Sequence, residues 1–300
     1  METLEYGIFY EKNFKIGSLE NETVNFYFFD YDDRHASINM DFQHTHPYFE
    51  IFILLDKKAV HFIEGRPFQL QFGDIVLIRP ERLHKTEYPA GRDYKRLVIN
   101  FNYLYKEEEF QPYYEQILSV FHQEVPVFRF DQIEREKLFW PLNSLFLSVH
   151  NQEDALDLAA FYKLFDFLRT LYVSRDGNIY VNQIELTKAE KKIYNAAAYI
   201  HSHFQDNVTL TGVAGHFNIH PCYLSHKFKE INGFTVHDYI TMTRLSNARH
   251  LLAGEEQSIT EIAFSCGFKS ISQFNRSFQK FVQTTPSDYR KKHRLLKPPV

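Results

Sequence analysis

Cysteine and tryptophan are almost missing from this 300-residue chain, which holds Cys222, Cys266 and the lone indole Trp140. Two cysteines this far apart make neither a metal knuckle nor a disulfide framework, and they suit a reduced, cytoplasmic protein. Long apolar runs are absent too. Crossing a bilayer takes ~18 apolar residues, and the longest candidate, around Tyr48 to Leu55, is interrupted by Glu50. The start, Met1-Glu2-Thr3-Leu4-Glu5, has neither the basic opening nor the apolar stretch of a secretion signal. No membrane is therefore expected among the partners. Positive charge is scarce in the front of the chain. Residues 1–183 carry 19 Lys+Arg against 29 Asp+Glu, whereas residues 184–300 carry 15 against 9. An acidic front and a basic back suit one domain that avoids nucleic acid and one that seeks it.

Aromatic carbon is abundant, with 30 Phe and 19 Tyr, and most of these rings are read as core. A hydrophobic fraction of 44% and a charged fraction of 24% are those of a globular chain of this length, with room for two domains. Short strands are predicted at Val24–Phe29, Phe49–Leu54, Ala59–Ile63, Phe68–Phe72, Ile75–Ile78 and Arg96–Phe101. Turn-forming pieces such as Glu64-Gly65-Arg66-Pro67 lie between them. Many short strands so closely spaced predict a sandwich or small barrel. From about Gln132 the apolar period becomes helical, through Ile133, Leu138, Phe139, Leu142, Leu145, Phe146 and Val149, then Leu158, Phe161, Tyr162, Phe165, Leu168, Leu171 and Tyr172. Pro141 is expected to kink or divide the first helix. Ser174-Arg175-Asp176-Gly177-Asn178 reads as a linker, and Lys106–Gln123 as a helix leaving the barrel. The division predicted is 1–130, 131–176 and 184–300, the last entirely helical.

Four helix starts in the last third share one signature. Thr187 with Glu190, Thr235 with Asp238, Ser258 with Glu261 and Ser270 with Gln273 each pair an N-cap hydroxyl with an acid or amide at the third helical position. The stretches Leu210–Ile219 and Ile259–Phe268 then repeat each other. Each sets a small residue, Ala214 or Ala263, four positions before a turn residue that tolerates positive φ, Asn218 or Gly267, and follows it with an apolar plug, Ile219 or Phe268. Two helix-turn-helix units result, at ~209–231 and ~258–281. Their apolar positions leave Cys222, Tyr223, Ser225, His226 and Lys229 outward on one second helix, and Ser272, Gln273, Asn275, Arg276 and Gln279 outward on the other. Such side chains suit base edges in the major groove. The helix from Thr235 to Ala253 is about 28 Å long at 1.5 Å per residue, stiff enough to hold both units near one DNA turn apart. Arg244 and Arg249 on it suit either phosphates or local ion pairs.

At this point the chain resembles the DNA-binding domain of the AraC/XylS family over residues ~187–293. The matching residues are Ala197, Tyr199 and Ile200; Tyr223-Leu224-Ser225 and Phe228-Lys229; Arg244-Leu245, Ala248 and Leu251-Leu252. Ile259, Ile262-Ala263, Gly267-Phe268, Phe274, Arg276, Phe278, Lys280, Thr285-Pro286 and Tyr289-Arg290 complete the match. Asn218 replaces the usual turn residue, His220 stands where a Ser cap is common, and Gln283 replaces the usual Gly. The front resembles the cupin-like sensor domain found ahead of this domain, on the strength of His44, His46, Glu50, Gly73-Asp74, Pro80 and His84. The resemblance implies an N-terminal all-β cupin-like barrel plus helices and a C-terminal all-α domain with two helix-turn-helix units joined by a long helix.

Positions 44, 46 and 50 share parity, so a regular strand would turn them to one side, although Pro47 interrupts it. With His84, these side chains either line an effector pocket, form structural hydrogen bonds, or hold a divalent metal. His35 and His61 show no comparable partners. The resemblance further implies double-stranded DNA as partner, a carbohydrate effector, homodimerisation through 132–175 with rings such as Tyr162 or Tyr172, and activation through RNA polymerase. No cofactor is required in this reading. The alternative is a metal-dependent cupin enzyme using His44, His46, Glu50 and His84. A pure protein-interaction module is the third class considered.

Overall fold

A computed structural model describes residues 2–3, 9–10, 14–17, 27–35, 43–89, 93–102, 111–150, 156–254 and 257–294. The expected strand start at Val24–Phe26 and the expected helix at Lys106–Phe110 lie outside the described residues. The strands are β1 (Glu2–Thr3), β2 (Phe9–Tyr10), β3 (Phe14–Gly17), β4 (Tyr27–His35), β5 (Phe49–Leu54), β6 (Lys58–Ile63), β7 (Arg66–Gln71), β8 (Ile75–Ile78), β9 (His84–Glu87), β10 (Asp93–Phe101) and β11 (Val127–Phe128). All pairings are antiparallel. β11-β8-β5-β10-β4-β3 form one sheet and β7-β6-β9 another. The period-2 pleat divides β5 and β8 between two cores. Phe52, Leu54, Val76 and Ile78 join Ile63, Phe68 and Leu70 of the smaller sheet. Ile51, Ile53, Ile75 and Leu77 face α1 (Gln111–Leu118), α2 (Gln132–His150) and α3 (Leu156–Ser174). Burial on both faces explains why these strands read as apolar runs, broken only by Glu50 of β5.

Pro141 does not divide α2, which runs through it undivided. The expected helical period holds through α2 and α3, but not every position on it is covered. Ile133 stands 68% exposed with Trp140 (70%) and Leu147 (38%) on one heptad-spaced stripe, and Tyr162 is 58% exposed, whereas Tyr172 packs half-buried on the core. The linker is tied down rather than loose. After a 3-10 turn at Arg175–Gly177, the Asn178 side chain accepts from the Arg129 amide, and Asn182 both accepts from the Gln69 amide and donates to the Pro67 carbonyl.

The tail folds as α4 (Lys188–His203), α5 (Leu210–His216), α6 (Pro221–Asn232), α7 (Val236–Gly254), α8 (Ile259–Ser265), α9 (Ile271–Val282) and α10 (Pro286–Arg294). Thr187 and Ser258 form full capping boxes with Glu190 and Glu261. Thr235 and Ser270 accept from the amides of Asp238 and Gln273. Two further caps escape a hydroxyl-plus-acid rule. Thr209 accepts from Gly212, and His220 uses Nδ1 to accept from the Cys222 amide, standing in for serine. The two turns repeat atom for atom. Ile219 donates to Ala214 and Phe268 to Ala263, around Asn218 at φ +51° and Gly267 at φ +83°. Gln283 also takes the left-handed conformation, at φ +64°, where a glycine was expected. α7 serves both units. Val236, Tyr239 and Ile240 pack with Ala214, Leu224 and Phe228, and Leu245, Ala248 and Leu252 pack with Ala263, Phe274 and Phe278.

The sensor domain docks on this tail. Leu83 enters the core of the first unit. The Glu81 carboxylate pairs with Arg249 at 2.7 Å and accepts from the Tyr289 hydroxyl at 2.6 Å, and its carbonyl accepts from Ser246 Oγ. His201 of α4 is half-buried near Glu64, and the loss of solvent around its ring lowers its pKa from the ordinary 6.5 to about 4; Glu64 opposes the drop, and Arg82 and Arg79 add to it.

Replacing Gly267 with alanine places a Cβ 2.7 Å from the Gln205 carbonyl oxygen and 2.8 Å from that of Phe204, at a strained positive φ. It is expected to cost about 2–3 kcal/mol by urea denaturation. His201 is neutral when folded, so its contribution is intact above pH 6.5 and is lost as pH falls toward 4 while the unfolded chain takes up the proton. His201→Leu should therefore make the fall in melting temperature between pH 6.5 and 4 shallower than in the parent protein.

Candidate functional site

Each recognition helix begins at a side-chain cap and ends in a left-handed residue, Gly233 after α6 and Gln283 after α9. These ends fix which residues face inward. Leu224 and Phe228 on α6, and Phe274 and Phe278 on α9, are fully buried. The opposite faces are open. Cys222, Tyr223, His226 and Lys229 are exposed and Ser225 is half-buried. Ser272, Asn275, Arg276 and Gln279 are exposed and Gln273 is half-buried. Arg276 has no hydrogen bond or ion pair among the described residues, and it borders a surface groove with Asn275 and Gln279. Gln273 is partly committed, since its Oε1 accepts from the Lys269 amide ahead of the helix. His226 lies 3.6 Å from Glu230, which also pairs with Lys227. These faces carry a formal positive charge from Lys229 and Arg276 together with hydrogen-bonding groups, and neither packs on the sensor domain.

The two connector arginines separate once their partners are visible. Arg244 is buried, donating to the carbonyls of Phe204 and Asp206 at 2.8 Å each and lying over the Phe268 ring. It closes the seam between the two units. Arg249 is spent on the sensor domain, through Glu81 and the Thr45 hydroxyl. Neither side chain is free for a phosphate in this arrangement.

In the sensor domain, His44, His46, Glu50 and His84 converge. β5 supplies Glu50 from the larger sheet and β9 supplies His84 from the smaller one, while His44 forms an antiparallel bridge with His84. Glu50 lies 3.1 Å from His46 Nε2 and 3.8 Å from His84 Nε2. His84 turns Nδ1 to the Arg82 carbonyl at 2.7 Å, so its Nδ1 carries the hydrogen and its Nε2 faces the cluster; the His46 ring lies between the Tyr48 carbonyl, 2.9 Å from Nδ1, and the Glu50 carboxylate at Nε2. The buried Nε2 of His84 and Nδ1 of His44 find no hydrogen-bond partner among the described residues. Burial pushes His44 and His84 down to about 3, and like-charged neighbours reinforce it in part while Glu50 opposes it. Burial alone would raise Glu50, but the hydrogen bond with His46 and the surrounding imidazoles hold it well below the ordinary carboxylate range. Imidazoles beside a carboxylate, with backbone carbonyls orienting the rings of His46 and His84, form a donor set that fits a divalent transition metal. His44, His46 and His84 each offer one ligand atom, all within 4.8 Å of one another.

His61 is not the isolated residue expected. It is buried, its Nδ1 is 2.9 Å from Thr86 Oγ1, and its ring stacks 5.9 Å from that of His84. The signal lies in β6–β9 register, which pairs His61 with Thr86 and Ile63 with His84. The rings of the cluster pack 4.2–5.9 Å apart, centre to centre. Two cavities lie elsewhere, at the junction of the domains. One of about 450 Å³ is lined by Glu64, Arg79, Arg82, Phe121, His201 and Asn247, among others, and a neighbour of about 340 Å³ includes Phe49, Asn102 and Tyr289.

Two family models match the chain, an AraC-like ligand binding domain over residues 25–152 and a helix-turn-helix domain over residues 213–292. The HTH-type transcriptional activator RhaS of Escherichia coli is 26% identical over 257 residues, covering 83% of this chain and 87% of that protein. Among solved structures, the C-terminal domain of AraT, a response regulator from Geobacillus stearothermophilus, is 31% identical over 35% of this chain and 88% of that one, with a TM-score of 0.34. ToxT from Vibrio cholerae is 17% identical over 88% of this chain and 98% of that one, with a TM-score of 0.33. The order of a ligand-binding domain followed by paired, capped helix-turn-helix units is the order of those two models, and the chain belongs to the AraC family of DNA-binding transcription regulators, with an N-terminal sensor domain.

Proposed function

We propose that the protein is a cytoplasmic, homodimeric activator that reads double-stranded DNA with Cys222, Tyr223, Ser225, His226 and Lys229 on α6 and with Ser272, Gln273, Asn275, Arg276 and Gln279 on α9. The observation that carries this reading is the exposure of two matched polar helix faces, both hung on α7 and both left uncovered by the sensor domain. Two such faces enter consecutive stretches of major groove, bases being read by side chains such as Arg276 and phosphates neutralised by Lys229. Activation is taken from the name of the relative RhaS, a transcriptional activator, and we infer that it runs through contact with RNA polymerase.

The effector we infer is a small polar molecule of the carbohydrate class. In support, the cavity at the domain junction combines arginine, glutamate and asparagine side chains with the Phe121 ring, the mix of hydrogen-bonding groups and aromatic surface that suits a sugar. A ligand there touches both domains at once and so binds one arrangement of them better than another. Dimerisation is supported by Ile133, Trp140 and Leu147, the exposed heptad stripe on α2. Tyr162 on α3 adds exposed area, whereas Tyr172 is already engaged, its hydroxyl accepting from Gln116. For the enzyme alternative at His44, His46, Glu50 and His84, the matched relative offers no support, being a regulator.

Genomic fragments selected on the purified protein at stated salt supply the DNA. In gel shifts on such a fragment, Arg276→Ala is expected to lose about 1–3 kcal/mol and to relax base preference at one position, while Lys229→Ala weakens all sequences alike. Unchanged binding in both variants would sink the reading. Trp140→Glu should turn a dimer into a monomer in sedimentation equilibrium, and the parent protein's single tryptophan should show blue-shifted emission as concentration rises through the dimerisation range.

A further inference from the structure

Charge does not balance around the cavity of about 450 Å³ at the domain junction. The sensor domain gives its wall Arg79 and Arg82, whose Nη2 atoms share the one carboxylate of Glu64, at 3.4 Å and 3.2 Å. The other two acids of the wall are engaged elsewhere. Glu81 is held by Arg249 at 2.7 Å, and the open side chain of Glu124 lies 3.9 Å from Arg66. Two guanidiniums on one carboxylate leave a positive charge unmatched, and the exposed rings of His122 and His250 can only add to it. Arg82 is the deeper of the pair, with a side chain only 10% exposed, and its buried Nε finds no hydrogen-bond partner among the described residues. Enclosed charge without full compensation is costly, and so is an enclosed donor without an acceptor. Across the cavity the helical domain presents His201 and Asn247. His201 is neutral, so its ring offers one donor and one acceptor, and its buried Nε2 is likewise unpartnered among the described residues.

We propose that the effector taken by this cavity is an anionic carbohydrate, a sugar acid or a sugar phosphate, whose charge completes the cluster of Arg79, Arg82 and Glu64 and whose hydroxyls pair with His201 and Asn247. The proposal rests on the carbohydrate reading above and sharpens it. Carboxylate and phosphate oxygens accept from a guanidinium in charge-assisted bonds, roughly twice as strong as the bonds a neutral hydroxyl makes. A neutral imidazole that can both donate and accept suits a hydroxyl, which does the same. The neighbouring cavity shares Arg79 and Glu81 with the first, but Pro47, Phe49 and Ala253 make up much of its wall. The charged end of the ligand therefore belongs in the first cavity, against the arginines. A neutral sugar of the same skeleton fills the same space and leaves the arginine charge as it was, so the cavity discriminates against it.

The probes are glucose, galactose and mannose, each as the neutral hexose, the 6-carboxylate and the 6-phosphate, titrated calorimetrically into the full-length protein at low and high salt. Inorganic phosphate and acetate are titrated alongside. For at least one skeleton an acidic form is expected to bind tenfold or more tightly than the neutral hexose, with the advantage shrinking at high salt. A tighter carboxylate assigns a sugar acid, and a tighter phosphate a sugar phosphate. Arg79→Gln, at the more open of the two arginines, should weaken the acidic form at least fivefold and leave the neutral hexose unchanged. Asn247→Ala should weaken both forms alike. Circular dichroism and melting temperature establish that each variant is folded. A neutral hexose that binds as tightly as its acidic forms overturns the proposal and leaves the carbohydrate reading standing. So does an acidic form whose affinity is the same in folded Arg79→Gln as in the parent. Inorganic phosphate or acetate binding as tightly as the acidic sugars reduces the cavity to an ion site and overturns the proposal. Binding by no sugar in any form sinks the carbohydrate reading with it. None of these readouts uses DNA, so the regulator reading is tested separately by the fragment selection above.

Discussion

The Glu81 carboxylate sits almost fully buried where the two domains meet, with Arg249 of α7 on one oxygen and the Tyr289 hydroxyl of α10 on the other. A charge so enclosed is stable only while its partners stay in place. Removing one side of such a pair costs about 3–5 kcal/mol, far more than a surface ion pair contributes. The backbone around Glu81 is committed as well, in a left-handed conformation that turns its amide to the His46 carbonyl and its own carbonyl to Ser246. Sensor strand, connector helix and final helix therefore meet at one residue. Anything that moves Glu81 is felt at both helix-turn-helix units, because Arg249 lies in the half of α7 that packs the second unit and Leu83 lies in the core of the first.

Around this junction the chemistry is uneven in a useful way. The faces proposed to read DNA point away from it and are open, while the connector arginines that resemble phosphate ligands are consumed by it or by the seam between units. Positive charge for nucleic acid is left to the outward helices. The sensor domain also holds ionisable groups inside: the Glu50 and histidine cluster between the sheets, and the bidentate Asp74–Arg129 pair at 2.7 and 2.6 Å beneath the linker. An acidic front that holds a basic tail by a handful of buried contacts, rather than by a broad apolar interface, can change its grip without unfolding.

What was legible in the sequence depended on the range of the interaction that decides it. Helix caps at Thr187, Thr235, Ser258 and Ser270, and the positive φ of Asn218 and Gly267, are decided within a few residues, and the local pattern sufficed. Strands β5 and β8 were found to the residue because burial on both faces leaves an unmistakable apolar run. β9 was not found, since His-Lys-Thr-Glu has no apolar alternation. Its inward side is a polar cluster and its outward side another domain. His61 looked ordinary because its neighbours Thr86 and His84 reach it only through strand register. The fate of Arg244 and Arg249 was undecidable for the same reason, their partners lying at Phe204, Asp206 and Glu81. Ile133, which shares the helical period, is exposed because periodicity tells which residues share a face, not whether anything covers it.

One helix serving both reading units carries a geometric penalty. The first half of α7 belongs to one core and the second half to the other, with no break between them. A single residue inserted between Ile240 and Leu245 would swing the second unit by about 100° about the helix axis and advance it by about 1.5 Å. In the DNA reading proposed above, substitution at outward positions retunes which bases are preferred, but the length of α7 cannot drift by even one residue. The helix behaves as a fixed ruler, and the spacing between the two stretches of an operator becomes a property of the protein's backbone rather than of its side chains.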